Sequence, residues 1–351
     1  MSSADREPTD DPPADDPMDR PVGAGIDFTD PNSPLAPLYL TTTGVIAVAA
    51  LGALLVLYSY LPMHHTDVWG HLKLGRWMAD NRRLPIPEPS SPYTAKDDAP
   101  TFQPWLSQVA YHLTYRAGER WAGSDPAKRF HGGAELLRMA HVFGIVAVYG
   151  LLWRASGSGA LALLGLAGVF FAGVSAIGVH RPQLFSLLLF AAFLAVLSRP
   201  VVSRRAVALI PVLLVLWANL HGGFVIGCGL LALVWLGRCL ECGSVRVAVA
   251  DTQVQRLLLA GLVAAAAIAF VNPMGPRIYL LALDFGSNPN LKTFQEWQPV
   301  DFLTSGTGYP LYVATLVVAA VTLALSPKSA TPRVKMFVRA IAVRPDRSAL
   351  A

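Results

Sequence analysis

Residues 39–61 read YLTTTGVIAVAALGALLVLYSYL, and residues 64–78 follow almost at once as HHTDVWGHLKLGRWM. The first string carries no charge and exceeds the roughly 20 apolar residues that a helix needs to cross a bilayer. It is also long enough to stay in place as a span rather than act as a removable leader. The second string sets His64, His65, His71, Asp67, Trp69 and Trp77 beside the predicted membrane surface. If it is helical from Asp67, then Asp67 and His71 share a face, and Gly75 opens that face to close approach by another element. A structural alternative is that Thr66 or Asp67 caps the helix while the tryptophans anchor it in the interface.

The 351 residues are 53% apolar and only 15% charged, against about 25% charged in soluble domains. The apolar residues gather in runs that predict an all-α integral membrane protein of about eight transmembrane helices: Tyr39–Leu61, Leu136–Trp153, Gly159–Val179, Gln183–Leu197, Ala206–Leu220, Phe224–Leu236, Leu257–Val271 and Pro310–Leu325. Gln183–Leu197, Phe224–Leu236 and Leu257–Val271 are short for a span. Residues 1–37 read as a disordered cytosolic tail, 38–326 as the transmembrane domain with an outer loop at 63–135, and 327–351 as a basic cytosolic tail.

The short loops set the expected orientation. Arg154, Arg199, Arg204, Arg205, Arg238, Arg246 and Arg256 fall on the side that also holds both termini, whereas the short opposite loops hold Arg181, Arg277 and Lys292. By the positive-inside rule both termini are cytosolic in a cell (inner) membrane. All eight histidines, with Arg181, Asn219, Asn272 and Glu296, then fall on the outer face. Polar groups at membrane depth are costly and tend to mark function.

The net charge of +5 is dispersed or placed at span ends, which excludes a nucleic-acid partner. Cys228, Cys239 and Cys242 make no disulfide framework, and the Cys239/Cys242 spacing has no second pair to complete a metal site. Within the outer loop, the prolines at 85, 87, 89 and 92 require an extended strap. Trp105 to Leu113 shows helical spacing suited to an interfacial helix. Gly118 to Gly133 reads as a polar connection back to the membrane.

The order Asp67-x-Trp69-x-His71-Leu-x-x-Gly75, Pro85-x-x-Glu88-Pro89-x-Ser91, Trp105-Leu-Ser-Gln108, Arg181-Pro-Gln183, Trp217-Ala-Asn219-Leu-His221-Gly-Gly223, Asn272-Pro-x-Gly275 and Glu296-Trp297 resembles a bacterial family of multi-pass membrane proteins. That family in turn resembles the GT-C superfamily of integral membrane glycosyltransferases. The similarity runs from about Tyr39 to Pro299. Glu88 stands where family members usually carry Asp, and Pro104 where they often carry an acid.

The resemblance implies transfer of a sugar from a polyprenyl-phosphate carrier to an acceptor on the outer face, with the carrier tail among membrane lipid. It places the catalytic carboxylate at Asp67, and substrate binding at His71, Arg181, Asn219, His221, Asn272, Glu296 and Trp297. A divalent metal is left open, with His64 and His65 as candidate ligands. The alternative is a non-catalytic multi-pass protein that binds lipid or glycan, or a partner subunit of an envelope-assembly complex. A transporter would place polar residues deep in several spans and show an internal repeat, and the sequence has neither.

Overall fold

The computed structural model describes residues 42–61, 63, 67–86, 104–156, 162–163, 165–170, 178–199, 201–284 and 317. The two tails, His64, His65, most of the proline strap, Glu296, Trp297 and the last expected span (317 apart) lie outside the described residues. Every regular element among the described residues is helical. In chain order these are α1 (Thr42–Tyr60), α2 (Asp67–Asn81), α3 (Trp105–Trp121), α4 (Pro126–Ala155), α5 (Gln183–Leu197), α6 (Arg204–Leu220), α7 (Phe224–Cys242), α8 (Val245–Ala250), α9 (Thr252–Val271) and α10 (Arg277–Asp284). Residues 165–170 are also helical. Four helices, α1, α4, α7 and α9, are long and apolar enough to cross a membrane. The chain is an α-helical membrane protein.

Three sequence expectations are corrected. The segment Gly118–Gly133 is not a polar connection, because α3 runs to Trp121 and α4 already begins at Pro126. The Asp125 carboxylate caps α4 by accepting from Lys128 N at 2.9 Å, with Pro126 in the first turn. The glycines that read as turn residues mark a helix crossing. A Cβ on Gly118 would sit 2.2 Å from the Gly132 carbonyl oxygen, and one on Gly133 would sit 2.7 Å from the Tyr115 ring.

The other two corrections lengthen short spans. Helix α7 continues past Leu236 to Cys242, through an Arg238–Glu241 pair at 3.1 Å, and stops at Gly243 with φ +74°. Left-handed backbone of this kind is where glycine ends helices. Helix α9 starts at Thr252 rather than Leu257, with Asp251 accepting from Gln253 N at 2.8 Å and Val254 N at 2.9 Å. Its polar first turn also grips the loop between α5 and α6, where Val202 N donates to Gln253 Oε1 at 2.6 Å and Arg256 donates to Val202 O at 2.9 Å. Only α5 keeps its expected fifteen residues, about 22 Å at 1.5 Å per residue.

The largest core lies among α5, α6, α7 and α9, with Phe193, Ile210, Leu214, Trp217, Leu257 and Ile268 at its centre. Helix α6 is the middle of this packing and buries residues along most of its length. A second cluster joins α1 to α4 through Tyr58, Val142, Ile145 and Tyr149. A third holds the α2–α3 pair on α4 through Val68, Leu72, Tyr111 and Leu137.

Candidate functional site

Helix α2 begins at Asp67 as the sequence implies, with the carboxylate in the first turn, where the helix dipole favours an anion. Val68, Leu72, Gly75 and Met78 form its buried stripe against α3. The crossing is tightest at Gly75, where a Cβ would lie 2.0 Å from the Gln108 carbonyl oxygen. Any other residue there would push the helices apart. Asp67 and His71 sit one turn apart beside this stripe, so the close crossing determines where both point.

Asp67 Oδ2 meets Arg181 Nη2 at 3.0 Å, with the carboxylate half-exposed and the guanidinium mostly covered. Arg181 occupies the turn into α5, where its N–H reaches Val179 O at 2.9 Å and its carbonyl accepts Leu184 N–H at 3.2 Å. Helices α2 and α5 are therefore joined by one carboxylate–guanidinium contact at one end of the bundle.

The imidazoles are each held by a side chain from a neighbouring helix. The Gln108 side-chain amide lies 3.3 Å from His71 Nδ1, within hydrogen-bond reach. His221 follows α6 in extended backbone. Its Nδ1 receives Gly223 N–H at 3.1 Å and lies 2.7 Å from Ser186 Oγ. Ser186 Oγ also accepts Trp217 Nε1–H at 2.7 Å. Because its Nδ1 accepts the Gly223 N–H, neutral His221 carries its proton on Nε2. Burial, with a smaller contribution from the nearby His71, lowers its pKa to about 4, so it is a neutral N–H donor at pH 7.

Asn219 and Asn272 form a polar knot beneath these groups. Trp105 Nε1 donates to Asn219 Oδ1 at 2.8 Å, and Asn272 Nδ2 donates to the same oxygen at 3.1 Å and to Ala218 O at 3.1 Å. Asn219 Nδ2 donates to Val215 O at 2.8 Å, and Asn272 Oδ1 accepts Met274 N–H at 2.9 Å. Both asparagines are buried. The knot ties α3 to the ends of α6 and α9, which are distant in sequence.

Of the residues expected from the sequence, Asp67 and Arg181 touch each other, and His71 lies close enough to His221 to influence its charge. Asn219 and Asn272 bond to each other, and Asn219 also accepts from Trp105. Glu296, Trp297, His64 and His65 lie outside the described residues. Among the described residues no group of three or more His, Cys, Asp or Glu side chains could hold a metal.

Sequence reasoning passed over Ser186 and the side-chain role of Gln108. Ser186 is the lone hydroxyl in the α5 run QLFSLLLFAAFLAVL, and a polar group in such a run is itself a signal. A second imidazole pair was also missed. His141 and His180 stack with centroids 4.1 Å apart, and both are buried. Burial, then His141 and Arg138, lower the His180 pKa to about 3.

Taken together, the site offers a carboxylate, a guanidinium and two imidazoles, of which His221 is neutral at pH 7. No protein-family model, curated protein or solved structure matches this chain.

Proposed function

We propose that this chain is a GT-C-like glycosyltransferase that moves a sugar from a polyprenyl-phosphate carrier to an acceptor on the outer face of the membrane. The observation that carries the reading is the Asp67–Arg181 contact at 3.0 Å, together with His221, whose Nδ1 accepts the Gly223 N–H and leaves Nε2–H as a donor. In this mechanism Asp67 takes the proton from the acceptor hydroxyl as its oxygen attacks the anomeric carbon. The bond from that carbon to the carrier phosphate breaks, and the phosphate leaves with the electron pair. Arg181, His71 and the Nε2–H of His221 stabilise the charge that gathers there. Asn219, Asn272 and Trp105 hold the floor of the site rather than the substrate.

The reading keeps eight spans, counting α5, α6, the helix around 165–170 and the last apolar run with α1, α4, α7 and α9. Both termini are cytosolic. Helices α2 and α3 lie along the outer surface and cover the site.

The alternative, a non-catalytic lipid- or glycan-binding protein, gains from Pro104. It stands next to Trp105 where relatives in the resembling family often carry a carboxylate, so Asp67 has no acidic neighbour there. Transfer assayed with purified protein and lipid-linked sugar separates the two. Asp67→Asn abolishes transfer while leaving donor binding if the proposal holds. Unchanged transfer by Asp67→Asn would overturn it.

A further inference from the structure

The seam between α1 and α4 holds two cavities that no step of the proposed transfer uses. The first, about 410 Å³, is almost entirely apolar in its lining and lies between α1, α4 and the helix at 165–170, with Leu54, Leu57, Tyr149, Trp153, Leu166 and Phe170 among its walls. Its volume is in the range that encloses a drug-sized ligand. The second, about 390 Å³, lies at the C-terminal end of α1 and is lined by Ser59, Tyr60, Leu61, Glu135 and Arg138 with two neighbours. Leu57 on α1 and Leu61, the residue just past its end, belong one to each cavity. On α4, Arg138 and Tyr149 are eleven residues apart, three turns on the same face and about 16 Å along the axis. That distance is about the hydrocarbon depth of one leaflet, half of about 30 Å.

The level of the polar cavity follows from helix length. Helix α4 has thirty residues, and about 20 of them cross the hydrocarbon. Counted back from Ala155, the crossing ends near Leu136, between Glu135 and Arg138. Tyr60, nearly fully exposed on α1, lines the same cavity, as interfacial aromatic residues do.

The charges in the polar cavity are a matched pair. Arg138 donates from Nε at 3.1 Å and from Nη2 to a single oxygen of Glu135, Oε2. Glu135 Oε1 and Arg138 Nη1 stay outside that contact. His180, which the Arg138 charge reaches, is neutral at pH 7. The cavity therefore presents one anion and one cation with no net charge.

We propose that the α1–α4 seam is a binding site for a zwitterionic phospholipid whose headgroup carries a primary ammonium. The phosphate lies on Arg138, the ammonium on Glu135, and one acyl chain lies in the apolar cavity. Charge complementarity selects this occupant. An anionic headgroup would leave Glu135 facing a negative charge, and a quaternary ammonium has no N–H to donate to Oε1. A long isoprenoid exceeds a cavity of one leaflet's depth. This proposal does not rest on the glycosyltransferase reading, and its failure leaves that reading untouched.

The test is native mass spectrometry of the detergent-purified full chain, delipidated and then offered phosphatidylethanolamine, phosphatidylcholine, phosphatidylglycerol or a long polyprenyl phosphate in equal amounts. Phosphatidylethanolamine is retained about five- to tenfold above the others, as expected for one charge-assisted hydrogen bond. Glu135→Gln removes that preference while phosphate-bearing lipids still bind, and Arg138→Gln lowers retention of all four. Ala50→Phe fills the apolar cavity from an exposed alanine in its wall and lowers retention without changing the melting of the delipidated protein. Equal retention of ethanolamine and choline lipids, an unchanged preference in Glu135→Gln, or tighter binding of the polyprenyl phosphate would each overturn the proposal.

Discussion

Replacing Asn219 by leucine tests whether the polar knot holds α3 against the ends of α6 and α9. Leucine keeps the branched shape but is larger by more than one methylene, so some overpacking adds to the loss at this buried position. The hydrogen bonds change more. Trp105 Nε1–H loses its acceptor at 2.8 Å, and Asn272 Nδ2 loses one of its two acceptors. Orphaning a buried donor costs about 1–3 kcal/mol in water-soluble proteins. Hydrogen bonds between membrane helices average nearer 0.6 kcal/mol, because the unfolded chain in the membrane finds other partners. Trp105 and Asn219 sit at the end of the bundle, between those limits, so a loss of about 2 kcal/mol is expected for the variant. Thermal unfolding in detergent measures it. Repeating the measurement with Trp105→Phe and with the double variant isolates the Trp105–Asn219 term, expected at about 0.6–1.7 kcal/mol. Strict additivity of the two substitutions would refute the bond as the tie between α3 and α6.

Two glycines on α2 carry opposite expectations. Gly75→Ala forces a methyl group toward a backbone oxygen 2.0 Å away and is expected to cost about 1–3 kcal/mol. Gly70→Ala meets nothing within 4 Å and is expected to stabilise by up to about 1 kcal/mol through helix propensity; melting temperatures of the two variants check both signs. Stability is also expected to fall as pH drops below about 6.5. The unfolded chain then protonates at His221, while the folded chain holds its pKa at about 4. This contribution is fully present above pH 6.5 and is lost progressively down to pH 4, by at most about 3 kcal/mol. His221→Asn should flatten that part of the profile in chemical-denaturation titrations. In the transfer assay, Arg181→Gln is expected to lower kcat/KM by about a hundredfold, the cost of removing one preorganised donor from developing charge.

Sequence alone located α2, its close approach at Gly75, and Asp67, Arg181, Asn219 and Asn272, of which the first two meet each other and the last two bond to each other. Each rests on local spacing, and helical periodicity carries local spacing into space. The lengths of α7 and α9 were harder to read, because their ends are polar. Arg238 with Glu241, and Gln253 with Arg256, look like loop residues to a hydropathy window. In the structure they continue the helices, Arg238 bonding to Glu241 within α7 and Gln253 and Arg256 bonding to Val202 between α5 and α6. The α3–α4 crossing was hidden because Gly118, Gly132 and Gly133 have the composition of a turn. Ser186 stayed unnoticed because its partners, Trp217 and His221, lie 31 and 35 residues away. The Trp105–Asn219 bond spans 114 residues, which no periodicity encodes.

The account depends most on the meeting of Asp67 with Arg181 at one end of the bundle. Short bifunctional thiol crosslinking tests it directly, with cysteines placed at 67 and 181 in a chain whose Cys228, Cys239 and Cys242 have been replaced by serine. Efficient crosslinking within one chain by a reagent of about 8–10 Å, the reach of the paired side chains, is expected. Two cysteines that each react singly with a monofunctional reagent but never join would contradict the account.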